Sequence, residues 1–214
     1  MCLNLCSQTS PDLCYNNLMS KLYFRYGAMG CGKTMQLLQV AFNYEERGQK
    51  VCVIKPAIDT KNDKKLLTRI GPERQTDFTF TPKDNLYTKI AKDYKDVDCV
   101  LVDEAQFMTP AQADQLAKIA YKLNIPVIAY GLRLNFRQQD GGFEGATRLL
   151  QIAQEIDEIK TICECGRKAT RQARFLDDKI VTDGPDILID DGTTKIEYRA
   201  LCPKCYHQYV EGEK

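Results

Sequence analysis

Hydrophobic positions in this chain come in short, nearly continuous runs, and most are followed by a stretch whose apolar residues recur with helical spacing. Leu22 to Tyr26, Val51 to Lys55, Asp98 to Asp103 and Pro126 to Tyr130 read as strands, and Ile156 to Thr161 as a last one. Between them the spacing predicts helices from about Thr34 to Arg47, closed by Gly48, over 84–94, from Pro110 to about Leu123, and over 143–154. Short apolar strands separated by helices imply an α/β fold: a parallel sheet with both faces covered. Residues 59–76 are charged and loop-like. Residues 1–18 are polar, with a Ser7-Gln8-Thr9-Ser10-Pro11 breaker, so Met19 reads as the working start and 1–18 as a disordered upstream extension.

The 214 residues suit one full domain and a small appendage. The formal charge of +1 gives no reason to expect a polyanion partner such as nucleic acid. No apolar run approaches the roughly 20 residues needed to cross a bilayer. Met1 to Ser7 lacks the basic start and apolar stretch of a signal peptide. A cytoplasmic protein without a membrane partner is expected. The 10 cysteines change the picture, because in a reducing compartment they point to metal or free thiols rather than disulfides.

Gly27-Ala28-Met29-Gly30-Cys31-Gly32-Lys33-Thr34 fits G-x-x-x-x-G-K-[ST] between an expected strand and an expected helix. The glycines let backbone N–H groups curl into a concavity for phosphate oxygens, and the new helix adds its positive end. Lys33 would reach the β- and γ-phosphates, and the Thr34 hydroxyl would hold Mg²⁺. Cys31 fills a free position of the loop. The fold expected is therefore a P-loop NTPase-like sheet over 19–160.

The run Val100-Leu101-Val102 ends in Asp103-Glu104-Ala105-Gln106-Phe107. Asp103, at the strand tip, can support the Mg²⁺ shell beside Thr34. Adjacent side chains at a strand end diverge, so Glu104 can act as base toward an attacking hydroxyl or water. Asp-Glu-Ala-Gln also resembles the acidic motif of nucleic-acid helicases. Such translocases need a second large motor domain, for which this chain has no room.

Cys163-Glu164-Cys165-Gly166 and Cys202-Pro203-Lys204-Cys205 place four thiols in two pairs. Four thiolates suit a closed structural Zn²⁺ site, with disulfides or free thiols as the alternatives. His207, the only histidine, is the alternative fourth ligand in place of Cys205. The polar stretch between the pairs has too little apolar content for its own core. Anchored at both ends it becomes a tethered loop, or else a small hairpin ribbon. A zinc-bound lobe over 161–214 is expected.

Together the phosphate loop with Met29, Asp103-Glu104-Ala105-Gln106-Phe107, Tyr130-Gly131-Leu132 with Asn135-Phe136-Arg137, and Lys160 to Ala169 resemble the type II thymidine kinases, from about Ser20 to Tyr206. The Cys-x-Cys first pair resembles a bacterial branch. The resemblance implies transfer of the ATP γ-phosphate to the 5′-hydroxyl of thymidine, giving dTMP, with Glu104 as catalytic base. It matches Gly27, Ala28, Met29, Gly30, Cys31, Gly32, Lys33 and Thr34 to the ATP loop, and Asp103, Glu104, Ala105 and Gln106 to the acidic motif. It places backbone groups around Ile189 to Tyr198, the zinc-held lasso, on the thymine ring, with Tyr198 as a side-chain contact. Met29, Leu132, Phe136 and Phe143 match apolar contacts to base and sugar, and Phe107 follows the catalytic pair. Lys61 stands where the family often has arginine, and Arg69 is the alternative cation. The family also implies a homotetramer with dTTP as feedback inhibitor.

Overall fold

The computed structural model describes residues 19–58, 65–68, 71–137, 142–186, 188 and 194–213. The expectations for residues 1–18, Lys61, Arg69 and Ile189 fall outside these residues.

In chain order the elements are β1 (Leu22–Gly27), α1 (Lys33–Glu45), β2 (Val51–Pro56), the short β3 (Lys65–Leu67), β4 (Glu73–Gln75) and β5 (Phe78–Phe80), then α2 (Leu86–Asp93) and β6 (Cys99–Val102). After these come α3 (Pro110–Lys118), β7 (Val127–Gly131), α4 (Glu144–Ile152), β8 (Glu155–Ile159), β9 (Arg171–Leu176), β10 (Lys179–Val181), β11 (Ile196–Leu201) and α5 (Pro203–Val210). Six strands form one sheet in the order β5-β2-β6-β7-β1-β8, every pair parallel.

The period of two along each strand sorts side chains into two cores. Leu22, Phe24, Cys52, Ile54, Val100, Val102, Val127 and Ala129 face one way, against Leu86 and Ile90 of α2, Leu116 of α3 and Leu149 of α4. Val51, Val53, Cys99, Leu101, Ile128 and Tyr130 face the other, against Leu37 and Ala41 of α1 and Leu66 of the hairpin β3–β4. Burial on both faces is why these strands read as continuous apolar runs.

Local chemistry sets the helix ends. Thr109 caps α3 by accepting from the Gln112 N–H, and the Gln112 side chain returns a bond to the Thr109 N–H, with Pro110 in the first turn. The helical path runs on through a wider turn at Ile119–Leu123 and stops at Asn124, whose φ of 55° no helix continues. Asn85 caps α2 through the Thr88 N–H.

Two regions depart from the sequence reading. Phe78–Phe80 is a sixth parallel strand, β5, pairing with β2 at the sheet edge. Its three residues are too few to show a period. Nearby, the stretch expected to be a loop holds the antiparallel hairpin β3–β4. The second departure is the segment between the cysteine pairs, which follows the hairpin-ribbon alternative rather than the plain tethered loop. It builds a three-stranded antiparallel sheet, β10-β9-β11, whose hairpin turn at Asp177-Asp178 has both residues at positive φ. Its small core is Ala169, Ala173, Phe175, Leu201 and Tyr206 packed with Cys163, Cys202 and Cys205. Cysteine sulfurs supply the apolar volume that the intervening sequence lacks.

Candidate active site

The site forms at the carboxyl ends of β1, β6 and β7, where ligands of open α/β sheets bind. β1 runs into the phosphate loop, and Gly30 and Gly32 take φ of 74° and 86° to turn it into α1. Lys33 is 7% exposed, and its ammonium donates to the carbonyls of Ala28 (3.1 Å) and Gly27 (3.3 Å), folded back inside the loop. Cys31 Sγ lies 3.7 Å from the same nitrogen. Ala28 is buried and Met29 half-buried.

The Asp103 N–H donates to Ile54 O at 2.9 Å, which carries β6 one bond further and fixes Asp103 at the sheet end. There its Oδ2 accepts from the Thr34 hydroxyl (2.9 Å) and its Oδ1 from the Glu104 N–H (3.0 Å). The structure thus joins the loop to the acidic strand end, directly through Thr34 and Asp103. Burial, reinforced by the charge of Glu104, pushes the Asp103 carboxyl well above the usual carboxylate range; the Thr34 and Glu104 hydrogen bonds and Lys33 act against it. A carboxylate so short of compensation, beside a hydroxyl, is a donor set that a Mg²⁺ ion would satisfy.

Glu104 adopts φ 50°, ψ 38°, a left-handed conformation that is rare for a side chain with a Cβ and that clusters at functional sites. Glu104 Oε2 accepts from Gln106 Nε2 at 2.5 Å, and Gln106 Oε1 accepts from the Leu132 N–H at 3.0 Å. Gln106 is buried, so it locks Glu104 to the chain leaving β7. The bridge needs Gly131: a Cβ there would lie 2.9 Å from Gln106 Oε1 and 3.1 Å from its backbone nitrogen. Ala105 is fully buried in the core.

Beside this bridge Leu132 and Phe136 are buried, and Phe107 meets Phe143 edge to face at 5.4 Å. The C-terminal lobe closes over Phe136. The Arg174 guanidinium stacks 3.5 Å above that ring, and the Tyr206 hydroxyl donates to Phe136 O at 3.3 Å. Arg174 is fully buried; its Nε donates to the Tyr198 hydroxyl (2.9 Å) and its Nη2 to Asp186 O (2.8 Å). The Tyr198 side chain is therefore placed on Arg174. Sequence reasoning passed over Arg174 and Gln172. Their alternation with Ala173 and Phe175 announces a strand with a polar face, but nothing in it says that the polar face is covered.

In the lobe, Cys163, Cys165, Cys202 and Cys205 bring their sulfurs within 4.8 Å of one another. Sulfurs 2.3 Å from a tetrahedral zinc sit ~3.8 Å apart, and Cys165 and Cys202 are at 3.6 Å. None of the four is in a disulfide. The Cys205 N–H and the neighbouring thiols hold the Cys202 thiol down, whereas burial pushes Cys205 up. The fourth member is Cys205 and not His207, which is exposed with its ring against Tyr206.

Comparison with known proteins points to one family. The family model described as "Thymidine kinase" matches residues 20–206. The thymidine kinase of Chromobacterium violaceum is 47% identical over 88% of this chain and 99% of its own length. That of Francisella tularensis subsp. holarctica is 43% identical over 90% and 99%, and that of Enterobacteria phage T4 is 41% identical over 90% and 98%. Among solved structures, the Pif1 helicase of Candida albicans covers 70% of this chain and 38% of its own at 16% identity, with a TM-score of 0.43. By sequence, over nearly all of the described residues, the chain belongs to the thymidine kinase family.

Proposed function

We propose that this chain transfers the γ-phosphate of ATP to the 5′-hydroxyl of thymidine, the salvage step that makes dTMP. The observation that carries the reading is the Glu104 carboxylate, fixed by Gln106 next to the Thr34–Asp103 pair at the mouth of the phosphate loop. Lys33 turns from the loop carbonyls to the β- and γ-phosphates when ATP arrives, and loop amides complete the cradle. Thr34 and Asp103 would hold Mg²⁺, which supplies charge neutralisation on the phosphates. Glu104 accepts the proton of the 5′-hydroxyl as that oxygen attacks in line. Met29, Phe107, Leu132, Phe136 and Phe143 wall the nucleoside, and the segment from Ile189 to Tyr198 grips the base. The four cysteines would hold Zn²⁺ as a structural staple; their donor set and spacing fit it.

On this reading the chain divides into a nucleotide-binding domain over 19–160 and a metal-held lobe over 161–214, preceded by the extension 1–18. Family membership supports a cytoplasmic homotetramer inhibited by dTTP. Among the described residues no helix is long and apolar enough to cross a membrane. The test is an assay with ATP, Mg²⁺ and a panel of nucleosides. Thymidine should yield its 5′-monophosphate with one ADP per turnover. ATP hydrolysis stimulated by DNA with no nucleoside phosphorylated, or nucleotide binding without turnover, would contradict the proposal.

A further inference from the structure

Strand β9 touches both halves of the site. Ala173 and Phe175 pack into the small core of the C-terminal lobe, so Gln172 and Arg174 point to the opposite face. That face is covered too: Gln172 is 6% exposed. Gln172 Oε1 accepts from the Met29 N–H at 3.0 Å. Met29 stands midway along the phosphate loop, so one loop amide is satisfied by a side chain from the other lobe. Two residues on, Arg174 holds Asp186 O and the Tyr198 hydroxyl. These flank the segment proposed to grip thymidine. A single strand therefore joins the peptide that shapes the ATP loop to the base of the nucleoside-gripping segment.

We infer that Gln172 is a positioning residue that couples the two substrate sites through its hydrogen bond to the Met29 amide. The inference rests on the thymidine-kinase reading of the lobe. The bond is either made or broken. A buried amide left without its acceptor is unfavourable, so the loop shape and the seated lobe are stabilised together. A ligand that seats the lobe then also orders the loop. By linkage, thymidine strengthens binding of the triphosphate by the same factor as the triphosphate strengthens binding of thymidine. One neutral hydrogen bond supports a factor of about five.

The experiment titrates the full-length, metal-replete protein with a non-hydrolysable ATP analogue, with and without saturating thymidine, and takes the ratio of the two dissociation constants. The wild type should show a ratio of about five. Gln172→Met, of similar length but without the acceptor, should bring the ratio to about one, with metal content and melting cooperativity retained. Gln172→Glu keeps an acceptor, so it should keep the ratio even where its charge weakens the analogue in both titrations. A wild-type ratio of one with both ligands bound, or an undiminished ratio in Gln172→Met, overturns the coupling alone. Absence of thymidine binding overturns the functional reading and the coupling with it. If Gln172→Met does not fold, the wild-type ratio and Gln172→Glu decide the matter.

Discussion

Gln106 shows how one buried side chain can fix the carboxylate proposed as the base. Its amide donates to Glu104 and accepts from Leu132, and both partners lose when it is removed. Gln106→Leu leaves the Leu132 N–H unpaired, for an expected loss of about 1–3 kcal/mol in urea unfolding. With Glu104 no longer held, kcat should fall while the affinity for ATP stays within about twofold. Gly27 answers to sterics alone. A Cβ at that position would lie 2.5 Å from Ile159 O, a backbone atom of the neighbouring strand β8. Gly27→Ala should therefore destabilise the protein by about 1–3 kcal/mol, read in the same unfolding experiment, with nucleotide binding weakened as β1 and β8 separate. The G-x-x-x-x-G-K-T motif announces a glycine at that position but not the reason, which is the carbonyl of a strand more than a hundred residues away.

At the scale of elements, the lobe built on the cysteine cluster carries the clearest prediction. Its core is barely larger than the cysteine cluster itself, and the sheet β10-β9-β11 packs on that cluster. Chelation should melt this sheet while leaving the six-stranded one intact, because the cores of the latter contain none of those cysteines. Amide exchange should accelerate in β9 and β11 and not in β6 or β7, and the KM for thymidine should rise. Protection of β9 unchanged by chelation would count against a structural metal. The cysteine spacing made the anchor legible from sequence. The sheet it anchors was legible only as the hairpin-ribbon alternative, because Phe175-Leu176 and Ala200-Leu201 are short apolar pairs that find partners only once the sulfurs gather. The helices were the reverse case: Pro110 and the Thr109–Gln112 box mark the start of α3 within a few residues of sequence, so local chemistry sufficed.

For the whole molecule, the parallel sheet and its two functional strand ends could be read from the chain. Buried strands are continuous apolar runs, and the chemistry of each end is written in adjacent residues. The docking of the C-terminal lobe could not be read. It depends on the polar face of β9, on Arg174 over Phe136 and on Tyr206 reaching Phe136 O, and a polar strand face reads the same whether it meets water or a neighbour. The strand order also matters: β7 lies between β1 and β6, so Thr34 and Asp103 meet at the sheet end, with Gly131 there giving Gln106 room to bridge. On the proposed reading, that convergence equips Glu104 to act as the base in the phosphoryl transfer. The most direct measurement is the single-turnover rate of γ-phosphate transfer from ATP to thymidine in the wild type and in Glu104→Gln, which keeps the shape and removes the base. The rate should drop by about 10²–10⁴ with ATP binding intact. A variant that transfers phosphate to thymidine as fast as the wild type would contradict the account.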